Sequence, residues 1–164
     1  MTQLEFREFY RTSRDPCLRS VLACVGDRQL AEDLVAEAFT RAWMAWYRVA
    51  EHPAPRAWIV RTALNARVSW WRRRSREVVV AAVPDVSYAE AGGSGLDPAL
   101  LGVLRRLPQR QREVIALRVF LDLDTRASAK TLGIAEGTVT AHLARAIATL
   151  RAQLVTVHEP EAQP

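Results

Sequence analysis

The chain has 164 residues, 49% hydrophobic and 25% charged, with 8 Pro and 7 Gly, and these near-average values exclude extended disorder and collagen-like structure. No stretch approaches the roughly 18 uninterrupted apolar residues of a membrane span, the opening MTQLEFREFY lacks a signal-peptide pattern, and Cys17 and Cys24 are too few for a disulfide framework or a structural zinc site, so a soluble cytoplasmic protein is expected. The net charge of +5 is spread unevenly: residues 1–51 nearly cancel, 56–76 hold seven Arg and no acid, 77–104 hold only acids, and 105–154 hold nine bases against four acids. Two basic blocks around an acidic spacer suggest two surfaces that meet one polyanion.

In chain order, Asp15 to Val25 predicts a short helix with Leu18, Val21, Leu22 and Val25 at helical spacing. Gly26 ends it and Asp27 caps the next. From Asp27 to about Arg48 runs a long amphipathic helix, its stripe formed by Leu30, Leu34, Ala38 and Phe39 and continuing to Trp43 and Trp46. Pro53 and Pro55 make residues 50–55 a loop, and Pro55 suits the first turn of a helix running to about Arg76. Val78 to Val83 has strand propensity but no second strand to pair with, and reads as the extended start of a linker; residues 84–98 have linker composition. After Pro98 come four helical patterns, at about 98–106, 109–120, 125–132 and 136–155.

The expected fold is therefore all-α, with two small helical domains, 1–77 and 98–156, a flexible linker at 78–97 and a tail at 157–164. A body of this size buries only about 60% of its unfolded surface and is marginal alone, so docking on a larger partner would help each.

Residues 124–145, DTRASAKTLGIAEGTVTAHLAR, have helix-turn-helix spacing. Ala129 is small where two helices cross, and Gly133 allows the positive φ of a tight turn. Ile134 and Val139 plug the core, and Leu143, Ile147, Leu150 and Leu154 continue the buried stripe. Thr138, Thr140, Ala141, His142 and Arg145 are left near the outer face of the second helix, whose N-terminal part enters the major groove in such modules. Arg126, Lys130 and Arg145 are the expected phosphate contacts, and Thr140 and His142 the expected base contacts.

With these residues in view, the segment from Leu107 to Arg151, LPQRQREVIALRVFLDLDTRASAKTLGIAEGTVTAHLARAIATLR, resembles region 4 of bacterial sigma factors. GDRQLAEDLVAEAFTRAWMAW resembles regions 2.1–2.2, and PRAWIVRTALNARVSWWRRRSR resembles regions 2.3–2.4 of the extracytoplasmic-function (ECF) group. The SWWRRR ending is similar to an actinobacterial SigE-like branch. The resemblance implies a sigma-70 family factor that binds core RNA polymerase, directs it to promoters and promotes their opening. It implies a minimal two-domain architecture, the chain being too short for regions 1.1 and 3.

The resemblance also assigns roles. Contact with core polymerase, at the β′ clamp helices, falls to Asp33, Leu34, Glu37, Phe39 and Arg41, with the β flap as a further partner. Spacing alone puts Asp33 and Glu37 on one helical face, and an acidic face suits a basic coiled coil. Reading of the −10 element falls to the 50–55 loop and to Arg56, Arg61, Asn65, Arg67, Arg72, Arg73 and Arg74, with Arg61 and Asn65 best suited to polar contact and Arg72–Arg74 to a phosphate clamp. The tryptophans 43, 46, 58, 70 and 71 lie in or beside this segment; Trp43 and Trp58 are expected in the core, and one of Trp70 and Trp71. The −35 element falls to Arg126, Lys130, Thr138, Thr140, His142 and Arg145.

The chain departs from the family at Ala127 and Ser128, at Ala135 in place of a Ser or Thr cap, and at Thr140 in place of a base. A polar Ser128 facing the core and a missing cap predict a region 4 that is marginal and binds weakly by itself. No Gly-rich phosphate loop, metal cluster or nucleophile elbow is present, so no enzyme and no cofactor are expected. Cys17 and Cys24 share a helical face and read as buried apolar thiols, with a redox switch as the lesser alternative. Two rival readings are a polymerase-independent helix-turn-helix regulator and an adaptor that sequesters polymerase. An anti-sigma factor is a candidate external restraint; no membrane partner is expected.

Overall fold

Eight helices account for most of the described residues, and no strand occurs among them. A computed structural model describes the backbone over residues 3–77 and 96–158 and the side chains over 3–67 and 96–156. The helices are α1 (Gln3–Val25), α2 (Arg28–Met44), the single turn α3 (Trp46–Val49), α4 (Pro55–Glu77), α5 (Pro98–Arg106), α6 (Gln109–Ile115, continued by a π turn Ala116–Phe120), α7 (Thr125–Leu132) and α8 (Glu136–His158). The strand-prone Val78–Val83 and nearly all of the expected linker lie outside the described residues.

Local chemistry sets the boundaries. Gly26 stops α1 at φ +73, and the Asp27 carboxylate then accepts the Leu30 N–H at 3.0 Å to cap α2. The His52 imidazole accepts the Ala54 N–H at 3.0 Å and turns the chain into Pro55, the first residue of α4. Asp97 caps α5 through the Ala99 N–H at 2.8 Å, and Asp124 caps α7 through the Ala127 N–H at 2.7 Å. Gly133, at φ +67, closes α7, and the Ile134 N–H returns to the Ala129 carbonyl at 3.1 Å.

α1 differs most from expectation. It begins at Gln3 rather than near Asp15, and runs through Pro16. A proline inside a helix removes the N–H that the carbonyl four residues earlier should accept. That carbonyl, on Thr12, instead accepts Nη2 of Arg56 at 2.8 Å, while Arg56 Nε donates to the buried Ser13 Oγ at 3.1 Å. A guanidinium from the start of α4 thus replaces the missing helical donor.

The first core joins α1, α2 and α4 through Leu22, Leu34, Val35, Ile59 and Val60 and takes in Leu96, Leu117 and Leu121 from the C-terminal half, with Phe6 and Phe9 packed at its edge against Phe39 and Trp46. Trp58 is half-buried against it, but Trp43 is 45% exposed, lying over Phe6 at 5.1 Å instead of in the core. Phe39 on α2 and Trp46 on α3 take the buried positions, which leaves Trp43, near the end of α2, partly exposed. Trp70 and Trp71 have side chains outside the described residues.

A second core also spans both halves. Ala23 and Cys24 of α1 are buried with Leu104, Leu107, Ile115, Ala116 and Ala146. Val114, Ala129 and Val139 form a third, where α6 packs on the helix-turn-helix. In α8 the fully buried positions are Val139 and Ala146, while Leu143, Ile147, Leu150 and Leu154 are only half-buried, so the stripe is narrower than the periodicity predicts.

Ser128 is fully buried and its hydroxyl has no partner, and Ala135 offers no side-chain acceptor to the free N–H groups at the start of α8. Replacing Ser128 by Ala removes an unsatisfied polar group, and Ala135→Ser restores a cap. Each is expected to raise stability by about 1 kcal/mol in urea unfolding, and a loss in either would contradict this account. At the other end of the molecule, Arg56→Ala is expected to cost about 1–3 kcal/mol. In a Pro16→Ala background, where the Thr12 carbonyl recovers a helical donor, the same change should cost measurably less; equal costs in the two backgrounds would show that Arg56 does not stand in for the proline.

Candidate functional site

Three surfaces carry the residues singled out by the sequence. On α2, Asp33 is exposed and its Oδ1 accepts Gln29 Nε2 at 3.0 Å; one turn on, Glu37 pairs with Arg41 at 2.6 Å. These side chains share the outward face that spacing predicts. Leu34 and Phe39 do not join them. They are 1% and 3% exposed, Phe39 being packed among Phe6, Phe9 and Tyr10, so both belong to the core, with Phe39 also lining a surface groove.

Beside the acidic face runs a feature that periodicity does not flag. Tyr10, Trp43, Met44 and Tyr47 are large, apolar and exposed. A groove of about 370 Å³ between α1 and α2 is lined by Phe6, Tyr10, Ala36, Phe39, Thr40 and Trp43. It continues into one lined by Tyr10, Glu32, Asp33 and Ala36. The available signal was the long extension of α1 before Pro16, which brings Phe6 and Tyr10 onto α2.

On α4, Arg61 and Asn65 are exposed, and with Val60 and Leu64 they form one wall of a cleft of about 100 Å³. The other wall is Arg110, Glu113, Leu117, Thr131 and Leu132, from the C-terminal half. Arg67 is half-buried, and Arg56 is engaged by Thr12 and Ser13 as described, which corrects its reading as a free basic side chain. The side chains of Arg72, Arg73 and Arg74 lie outside the described residues.

In the helix-turn-helix, Arg126, Lys130, Thr138, Thr140 and Arg145 are all exposed. The Thr140 hydroxyl donates to the Glu136 carbonyl at 3.2 Å, but stays at the surface. His142 departs from expectation: it is half-buried, with Nδ1 shielded and without a partner. Its position, three residues after the fully buried Val139, turns its ring toward the core side of α8.

Both cysteines are free and buried. Burial pushes each thiol up to about 12, so neither is a thiolate near neutrality. Seven residues apart on one helix, they are separated by about 10 Å along its axis, too far for a disulfide. The redox-switch alternative loses its physical basis. Among the described residues no helix is long and apolar enough to cross a membrane.

Comparison with known proteins fits this geometry. Residues 9–77 match the sigma-70 region 2 family and residues 98–150 the sigma-70 region 4 family. The RNA polymerase sigma-E factor of Streptomyces avermitilis is 37% identical over 153 residues, covering 92% of this chain and 86% of that protein. The ECF RNA polymerase sigma factor SigM of Bacillus subtilis is 25% identical over 151 residues, covering 88% and 92%. The fold is also that of the sigma factor RpoE solved with the anti-sigma factor NepR from Bartonella quintana, at TM-score 0.69 and 23% identity over 92% of this chain and 96% of that one. With both regions in order and relatives of this likeness over nearly the whole length, the chain belongs to the sigma-70 family, as a SigE-like ECF sigma factor that directs RNA polymerase to promoters.

Proposed function

We propose a division of labour among the three surfaces, with residues 1–77 and 98–156 as the two functional units and 78–97 as the connection between them. The observation that carries it is the segregation of charge: an outward acidic row on α2, against basic and polar rows on α4 and on the helix-turn-helix. Asp33, Glu37 and Arg41 meet the β′ clamp helices of core polymerase, with the neighbouring Tyr10–Trp43 groove supplying apolar contact. Leu34 and Phe39 position that face from beneath. Arg61 and Asn65 hold bases of the opened −10 element, Arg67 and Arg72–Arg74 hold its phosphates, and Arg56 positions the start of α4. Thr138, Thr140 and Arg145 read the −35 duplex, with Arg126 and Lys130 on its phosphates; His142 supports α8 from its inner side. The β flap contacts the second unit. An anti-sigma factor is a further partner, supported by the solved complexes of the same fold.

The chain performs no chemistry of its own in this reading; polymerase supplies it, in the cytoplasm. The polymerase-independent regulator finds no support, since both family matches are to sigma regions. Run-off transcription by core polymerase on a promoter library tests the whole: initiation at a distinct promoter class is expected, and binding to palindromic duplex without core would overturn it.

Reversing charge with Asp33→Lys and Glu37→Lys should weaken binding to core about tenfold, chiefly at low salt, as measured by competition anisotropy. Asn65→Ala should cut the yield of permanganate-reactive open complex while leaving affinity for −35 duplex unchanged. Arg145→Ala should lower the slope of log K against log salt by about 0.9 on that duplex; an unchanged slope would remove Arg145 from the phosphate contacts.

A further inference from the structure

We propose that α8 reads its duplex in part through hydrocarbon: the γ-methyl of Thr140 and the β-methyl of Ala144 together seat the 5-methyl group of one thymine in the major groove. This deepens the assignment of α8 to the −35 element made above, and rests on it.

Burial decides which side chains of α8 can face a groove. Val139 and Ala146 are fully buried, so the face turned outward is the one opposite them. Toward that face Gly137, Thr138, Thr140, Ala144 and Arg145 are exposed. At about 100° per residue they sort onto two edges. Thr138 and Arg145, seven apart, share one edge and bring polar groups to it. Thr140 and Ala144, four apart, share the other, one turn above the next. From Glu136 to Ala144 this second edge carries no Lys or Arg that could seek a phosphate. His142, the other base contact expected from the sequence, is half-buried and does not compete for the same base.

The conformation of Thr140 settles which of its two groups meets the DNA. Its Oγ1 donates to the Glu136 carbonyl at 3.2 Å, which ties the hydroxyl back onto the preceding turn. Of the two heavy atoms on Cβ, the methyl is then the one left to project outward. At a position where the family resemblance leads one to expect a base, this chain therefore presents hydrocarbon, and Ala144 adds a second methyl beside it. Cβ atoms one turn apart are separated by about 5–6 Å. A third methyl lowered into the saddle between them touches both at about 3.5–4 Å, the optimum for carbon on carbon. Thymine is the base that offers such a methyl in the major groove, and Ala and Thr methyls are its natural partners. A cytosine would leave the saddle empty, and a purine edge would set polar atoms against hydrocarbon that cannot answer them.

The test uses the full chain bound to core polymerase, with linear promoter duplexes randomised across the −35 window. Each thymine in the selected sequence is then replaced by deoxyuridine, which lacks the 5-methyl and keeps every hydrogen bond. One replacement should weaken binding about fourfold, the worth of one buried methyl. Thr140→Ser keeps the hydroxyl and removes the methyl, and should bring the thymine-to-deoxyuridine ratio at that position close to one. Thr140→Val keeps the methyl and removes the hydroxyl, and should leave the ratio near fourfold. The ratio cancels any change in the folded fraction, so Ala144→Gly can be read in the same way although it loosens the helix, and it too should narrow the ratio. A ratio lost in Thr140→Val and kept in Thr140→Ser would make the hydroxyl the reader and overturn the proposal. A selected window without thymine, or one in which no deoxyuridine matters, would overturn it as well. A window that shows no base preference at all would instead overturn the assignment of α8 to the −35 element, and the methyl contact with it.

Discussion

The packing of the last two turns of α1 on both sides is the constraint from which the rest of the structure follows. A long helix between two groups of helices has to present a different chemistry to each. Toward α2 and α4 it offers Leu18, Val21 and Leu22, side chains large enough to make an interior. Toward the C-terminal half it offers Ser20, Ala23 and Cys24, which let backbone come close. Close approach buries backbone carbonyls, and each then needs a donor. Midway along α1 Arg56 answers the carbonyl freed by Pro16; at its C-terminal end Ser20 answers the π turn and Arg105 answers Gly26. The polar bonds fix where each half docks, and the apolar area supplies the attraction.

What was legible in the sequence is what is local. The capping role of Asp27, the positive φ of Gly26 and Gly133, the start of α4 at Pro55 and the limits of α5 and α7 depend on residues within one turn of themselves, and they stand where spacing puts them. What was not legible depends on a distant partner. Pro16 argues against a helix until Arg56, forty residues on, is known to serve its orphaned carbonyl. Periodicity gives a direction on a helix but not what lies there, so Leu34 and Phe39, at positions the family resemblance links to polymerase, are interior, while Trp43, an expected anchor, is at the surface. His142 is the same error in reverse: its spacing from Thr138 suggested an outward ring, but its place relative to Val139 turns it inward. The run SVLAC at 20–24 held the non-local information in plain form, since an amphipathic helix with one core has no reason for five small or apolar residues in succession.

The C-terminal half shows why such docking matters for a small domain. It contains an unpartnered buried hydroxyl at Ser128, an α8 start with no side-chain acceptor at Ala135, and α8 leucines that are only half covered. Each of these subtracts from a stability that is small to begin with at this size. Against α1, however, Leu104, Leu107, Ile115 and Ala116 are covered almost completely. The partner that a marginal domain needs is therefore available within the chain, before any polymerase is met.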